Sequence, residues 1–227
     1  MTDTDICNAA LRLIGQGKTL GDLSDDIGSV ADDCRFWYPK CRRELLEQYP
    51  WTFAQQQEEL SLYSDDYLPQ WRYAYYYPSY CLKIYWIDNY TTRAAYGGVY
   101  DYSIPSPYFP GSFYEPYWMV SARNDVGGED AESRVILMNE APTSDGPPLL
   151  WFVRDVTQTG LMPQTFQRVL EYLLAEKLMS TVAKKPGALA GIIRNGYLSS
   201  LEKARGTDYN QVNPRNIKKA TAVRARR

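Results

Sequence analysis

Apolar residues recur at helical spacing near both ends of this chain and at alternating, strand-like spacing between them. Ile6, Ala9, Ala10, Leu13 and Ile14 stand at i, i+3, i+4, i+7 and i+8, which predicts a short helix with one buried face, capped by Thr4 and stopped by Gly15 and Gly17. A polar connection from Asp22 to Gly28 follows. Ser29 and Asp32 then match an S-x-x-D capping box, and Val30, Cys34, Trp37, Cys41 and Leu45 make the apolar stripe of a second helix running to about Gln48. Pro39 lacks an N–H and clashes with the carbonyl four residues back, so this helix is expected to kink or split there.

From Pro50 to Val156 the helical period fades. Tyr80, Leu82, Ile84 and Trp86 alternate with Cys81, Lys83, Tyr85 and Ile87, the period of a strand. Further strands are expected at Trp71–Tyr77, Val99–Ile104, Tyr117–Ala122, Arg134–Met138 and Leu149–Arg154. Pro105, Pro107, Pro110 and Gly111 mark a long aromatic loop, and Asn124–Ala131 a polar hairpin connection.

Helical spacing returns after Pro163, which suits a first helical turn, with Phe166, Val169, Leu170, Leu173, Leu174, Leu178 and Val182 on a broad apolar face. Lys184, Lys185, Pro186 and Gly187 end it. A fourth helix carries Leu189, Ile192, Ile193, Tyr197 and Leu201, with Gly206 as its stop. The expected fold is α+β: a four-helix bundle (1–50 and 157–208), a β-rich domain inserted between helices 2 and 3 (51–156), and an extended, flexible basic tail (209–227).

Charge changes this picture in one place. The whole chain has 25 basic and 27 acidic residues, but Tyr209–Arg227 holds six basic residues and no acidic one. An acidic body therefore carries a basic tail. The N-terminus is acidic and no run approaches the ~18 apolar residues of a membrane span, so the chain reads as soluble and not exported. Cys7, Cys34, Cys41 and Cys81 show no metal-binding spacing and read as reduced, buried small hydrophobes.

The chain has no histidine, which removes the usual general base, the Ser-His-Asp and Cys-His arrangements and the commonest zinc ligand. Gly15-Gln16-Gly17-Lys18-Thr19 resembles a phosphate loop, but Arg12 stands where that motif needs glycine and the stretch follows a helix, so it reads as a helix-ending turn. Asp25-Asp26, Asp32-Asp33, Asp65-Asp66 and Glu129-Asp130 lack calcium-loop spacing and suit solvated turns and helix N-termini. A carboxylate pair for glycoside hydrolysis stays open, because it needs no histidine. Twenty tyrosines, concentrated between Tyr63 and Tyr117, fit subunit or partner contacts, intrachain packing, or stacking on bases or sugars; Tyr73-Ala74-Tyr75-Tyr76-Tyr77 has few cations around it to meet phosphates.

The stretch Tyr38-Pro39-Lys40-Cys41-Arg42-Arg43-Glu44-Leu45-Leu46-Glu47-Gln48-Tyr49-Pro50-Trp51-Thr52-Phe53-Ala54 resembles the kinked helix and W-x-F-A turn of the phage tail tubular protein A family. Tyr77–Ile84, Trp151-Phe152-Val153-Arg154 with Asp155-Val156-Thr157, and Pro163–Met179 with Phe166 and Leu173-Leu174-Ala175 resemble that family in the same order. The similarity spans Ile6–Leu201 and is weakest between Asn89 and Ser133. Tyr80 departs from the family's usual acidic residue.

The resemblance implies a structural head-to-tail adaptor in the virion of a short-tailed phage, with no catalytic residue, cofactor or metal. It implies a dodecameric ring under the portal protein and above the tail nozzle protein, with DNA passing through the lumen unread and no membrane contact. The segment matching the family's portal-docking element carries Arg215, Ile217, Lys218, Lys219, Arg224, Arg226 and Arg227. Two other functions compete: a virion-associated peptidoglycan hydrolase, and an aromatic-sheet module binding single-stranded nucleic acid or glycans.

Overall fold

In the computed structural model, the described residues are 1–17, 19–64, 71–88, 118–124, 132–139, 146–182 and 186–211. The chain is α+β; among the described residues there are four helices, with two sheets lying in sequence between the second and third of them. It divides into two compact units. One comprises Met1–Gln55 with Val153–Val212, and the other contains Gln56–Phe152. The strand expected at Val99–Ile104, the aromatic loop, and the hairpin connection beyond Asn124 lie outside the described residues, as does the basic tail from Val212 onward.

In the helical unit, α1 spans Asp3–Leu13. Its cap is Thr2, not Thr4: Thr2 Oγ1 accepts from Asp5 N and Asp5 returns the bond to Thr2 N, a reciprocal capping box. Thr4 instead accepts a hydrogen bond from Leu23 N. At the other end Gly15 has φ +76°, a left-handed conformation suited to glycine. Gln16 N reaches Leu11 O and Gly15 N reaches Arg12 O, the two bonds of a Schellman motif. The phosphate-loop resemblance thus begins on a helix terminus, and Lys18 lies outside the described residues.

The second helix, α2, spans Ser29–Gln48 and is not divided at Pro39. The Ser29/Asp32 capping box is absent. Gly28 occupies the cap position at φ 133°, and Asp32 pairs with Arg35 at 2.5 Å. The buried stripe is rotated from the expected one: Ala31, Cys34, Tyr38, Cys41 and Leu45 point inward, whereas Val30 and Trp37 are half-buried. All four cysteines are free and buried: Cys7 in α1, Cys34 and Cys41 in α2, and Cys81 in a strand.

The third helix, α3, spans Gln164–Val182; Pro163 precedes it as the carbonyl that accepts from Gln167 N. The fourth, α4, spans Pro186–Tyr209, with proline at its first position. It runs through Gly206 instead of stopping there, and Asn210 N closes onto Gly206 O, so Tyr209 is helical and not the start of the tail.

The centre of this unit is α3, on which α1, α2 and α4 all pack. Its buried positions, among them Phe166, Val169, Leu170, Leu173, Leu174 and Leu178, go most of the way around the helix. In α4 the buried residues Ile193, Tyr197, Leu201, Ala204 and Asp208 form one stripe. Ion pairs Lys177–Glu44 (3.4 Å) and Arg194–Glu176 (3.3 Å) edge the helix contacts, and Tyr197 Oη donates to Gln48 Oε1 at 2.9 Å.

The other unit is built on strands. β3 (Tyr73–Tyr76), β5 (Trp118–Asn124) and β6 (Glu132–Met138) fall close to the expected positions, and with β2 (Leu62–Ser64) they form a sheet ordered β2-β3-β6-β5. All its pairings are antiparallel, with Tyr75 opposite Ile136 and Val120 opposite Ile136 on its other side. A three-stranded sheet is ordered β1-β7-β4, from Gln55–Glu59, Leu149–Arg154 and Cys81–Asp88.

Tyr75, Ile136 and Met138 of one sheet share a buried cluster with Cys81, Ile87, Leu150 and Phe152 of the other. Alternate residues Ala74, Val135 and Leu137 form a second cluster on the opposite face. Because β6 is buried on both faces, its core reads as a continuous apolar run. β1 and β2 were not expected, since Gln55-Gln56-Gln57-Glu58-Glu59 has no apolar alternation.

Candidate functional site

The W-x-F-A turn is fixed by groups from three parts of the helical unit. Trp51 Nε1 donates to Leu45 O at 2.8 Å, and its buried ring meets Phe166 edge-on at a centroid distance of 5.1 Å. Phe53 meets the same Phe166 at 4.9 Å. Such edge-to-face pairs add about 0.5–1.5 kcal/mol each beyond burial. From the end of α4, Asp208 accepts from Thr52 N at 3.1 Å and from Thr52 Oγ1 at 2.7 Å. Burial pushes the Asp208 carboxyl up, against the opposing effect of the Thr52 bonds.

One turn earlier in the sequence, Arg42 and Arg43 both reach Asp155. Arg42 donates through Nε (3.1 Å) and Nη2 (2.8 Å) to Oδ1, and Arg43 Nε donates to Oδ2 at 2.8 Å. Arg42 is buried and only 11% of the Asp155 side chain is exposed, so each neutralises a charge that would be costly alone. The residues that carry the resemblance in Arg42–Phe53, Asp155 and Phe166 therefore form two clusters within the helical unit, one ionic and one aromatic. Sequence reading had named them but could not pair Arg42 with a residue 113 positions away.

Two surface features of the helical unit stand apart from these clusters. The first is the loop between α1 and α2. Leu20 N and O bond the Asn8 side chain (2.7 and 2.9 Å), Gly21 N donates to Asp26 Oδ2 (2.6 Å), and Arg35 Nη1 donates to the carbonyls of Leu23 and Asp26 (2.7 and 2.9 Å). This loop is held from both helices, yet its tip residue Ile27 is 94% exposed. The second is an open groove of about 540 Å3 beside the start of α3, where Thr165, Arg168 and Glu171 face Ser199, Ser200 and Lys203 of α4.

In the strand unit the tyrosines divide. Tyr75 is fully buried, Tyr73 and Tyr77 pack on the core, and Tyr76 and Tyr80 are exposed. Tyr80 Oη donates to Glu58, which with burial pushes that phenol up to about 12. Two cations lie beside this run: Arg134 of β6, 5.6 Å from the Tyr77 ring centre, and Arg72, 5.7 Å from that of Tyr73. Sheet pairing brings Arg134 there, which local sequence cannot show.

The residues expected to dock on the portal, Arg215, Ile217, Lys218, Lys219, Arg224, Arg226 and Arg227, lie outside the described residues, as do Asp65-Asp66 and Glu129-Asp130. Asp25 and Asp26 lie in the α1–α2 loop and Asp32 and Asp33 in the first turns of α2. Among the described residues no group of three or more His, Cys, Asp or Glu side chains is placed to hold a metal ion. Neither a protein-family model nor a curated protein matches this chain.

Proposed function

We propose that this chain is a structural head-to-tail adaptor of the tail tubular protein A type, a subunit of a ring that joins the portal to the tail nozzle of a short-tailed phage and continues its DNA channel. The observation that carries the reading is the convergence of the family-like signatures: Arg42 and Arg43 on Asp155, and Trp51 and Phe53 on Phe166. Motifs scattered along the sequence thus tie α2 to Asp155 and the turn after α2 to α3.

Charge supports the same reading. Residues 1–208 carry 19 basic against 27 acidic side chains, and an acidic wall repels phosphate and lets DNA slide. The basic segment from Asn210 to Arg227 is the portal-docking element of this proposal, and catalysis has no part in it. Co-sedimentation of the chain with portal rings tests the docking step. Intact chain is expected to travel with the portal, and a chain ending at Tyr209 is expected to stay behind. Equal binding by both would overturn the assignment of the tail.

A further inference from the structure

We infer that the Ile27 loop of one copy of this chain docks in the α3–α4 groove of a second copy. The inference rests on the adaptor reading, in which copies of the chain lie side by side.

The loop has the properties of an interface anchor. An isoleucine at 94% exposure leaves nearly its whole apolar surface in water, a state that burial against a partner would relieve. The loop that carries it is already ordered by Asn8, Thr4, Asp26 and Arg35, so little conformational freedom is left to lose on docking. Gly28 at φ 133° sets the turn immediately behind the tip. Around Ile27 the chain is net acidic: Asp22, Asp25, Asp26, Asp32 and Asp33 outnumber Arg35, which binds Asp32 and the carbonyls of Leu23 and Asp26.

The complement to an acidic rim with an apolar centre is present on the same chain. The groove beside α3 presents the cations of Arg168 and Lys203 against the single carboxylate of Glu171, and the hydroxyls of Thr165, Ser199 and Ser200, donors suited to carboxylates. Arg168 is already bound by Glu171 at 2.6 Å, whereas Lys203 makes no ion pair among the described residues. The aliphatic stems of both cations supply apolar wall. Met1, half-exposed, is the apolar side chain among the groove's lining residues. Because loop and groove are different surfaces, the contact is heterologous, the kind that builds rings when its rotation closes.

Sedimentation velocity of the full chain over a wide concentration range, at low and high salt, tests this. Wild type is expected to self-associate, less so at high salt. Ile27→Asp and Lys203→Glu are each expected to raise the midpoint concentration by about tenfold or more. The paired exchange Asp25→Lys with Lys203→Glu is expected to recover association, because it restores opposite charges. Both single sites are exposed, and circular dichroism verifies that the variants fold. Wild type that remains monomeric throughout overturns the inference, as does association indifferent to both substitutions, or Ile27→Asp abolishing portal binding alone. Portal stacking that persists when either substitution leaves self-association unchanged would sink this contact and leave the adaptor reading standing. Ile27-dependent self-association without portal stacking would do the reverse.

Discussion

Gly196 of α4 lies directly against the ring of Tyr172 of α3: a Cβ added at Gly196 would clash with Tyr172 Cε1. Swinging the ring away gives up its contacts with Arg168, which stacks on it at 4.8 Å and donates to its hydroxyl at 3.2 Å. Gly191, one and a half turns earlier on the same helix, faces open space. Gly196→Ala is therefore expected to destabilise the protein by about 1–3 kcal/mol through overpacking, and Gly191→Ala to stabilise it by about 0.5–1 kcal/mol through helix propensity. Urea unfolding of the two variants checks both signs. Equal effects would mean that α3 and α4 do not approach as closely as this.

Asp155 is the shared acceptor of Arg42 and Arg43, and its two partners differ in burial. Arg42 has 8% of its side chain exposed and Arg43 59%. Removing the carboxylate leaves Arg42 as a buried, unpaired charge. Asp155→Ala is expected to cost about 3–5 kcal/mol, and Arg43→Ala less than about 1 kcal/mol because water screens that pair. Chemical denaturation of both variants distinguishes the two. A small loss for Asp155→Ala would show that the fold does not depend on this charge.

Asp208 provides a pH test. Burial raises its carboxyl above the ordinary value of 3.8, while the Thr52 hydrogen bonds pull the other way without reversing the shift. The folded protein thus holds this proton more tightly than the unfolded chain. The corresponding stability is full below the ordinary value and is lost as pH rises through the raised folded value. Asp208→Asn keeps an acceptor for Thr52 and cannot ionise. Wild type is expected to gain stability relative to this variant as pH falls from neutral through the carboxylate range, measured as the difference between their melting temperatures. A difference that shrinks on acidification would mean that the Thr52 bonds outweigh burial.

The parts of this fold that were legible in the sequence are those set by local chemistry. Gly15 ends α1 because the left-handed turn needs glycine, and β7 falls on Leu149–Arg154 because a central strand is apolar almost throughout. Where distant groups compete, local patterns mislead. Ser29 and Asp32 spell a capping box, but Arg35 captures Asp32 and Gly28 takes the cap position. The polar β1 gives no apolar signal, because its place depends on backbone pairing within its sheet. The candidate surfaces show the same division. The acidic character of the Ile27 loop is visible in the sequence. Its rigidity comes from Asn8, Thr4 and Arg35 on flanking helices, and its groove partner from two helices brought together only by folding.

The central claim is tested most directly by electron microscopy of the full-length chain mixed with its candidate portal. The adaptor account predicts a ring of this protein stacked coaxially on the portal with an open central channel. Portal particles that carry no added ring at any concentration of the chain would contradict it.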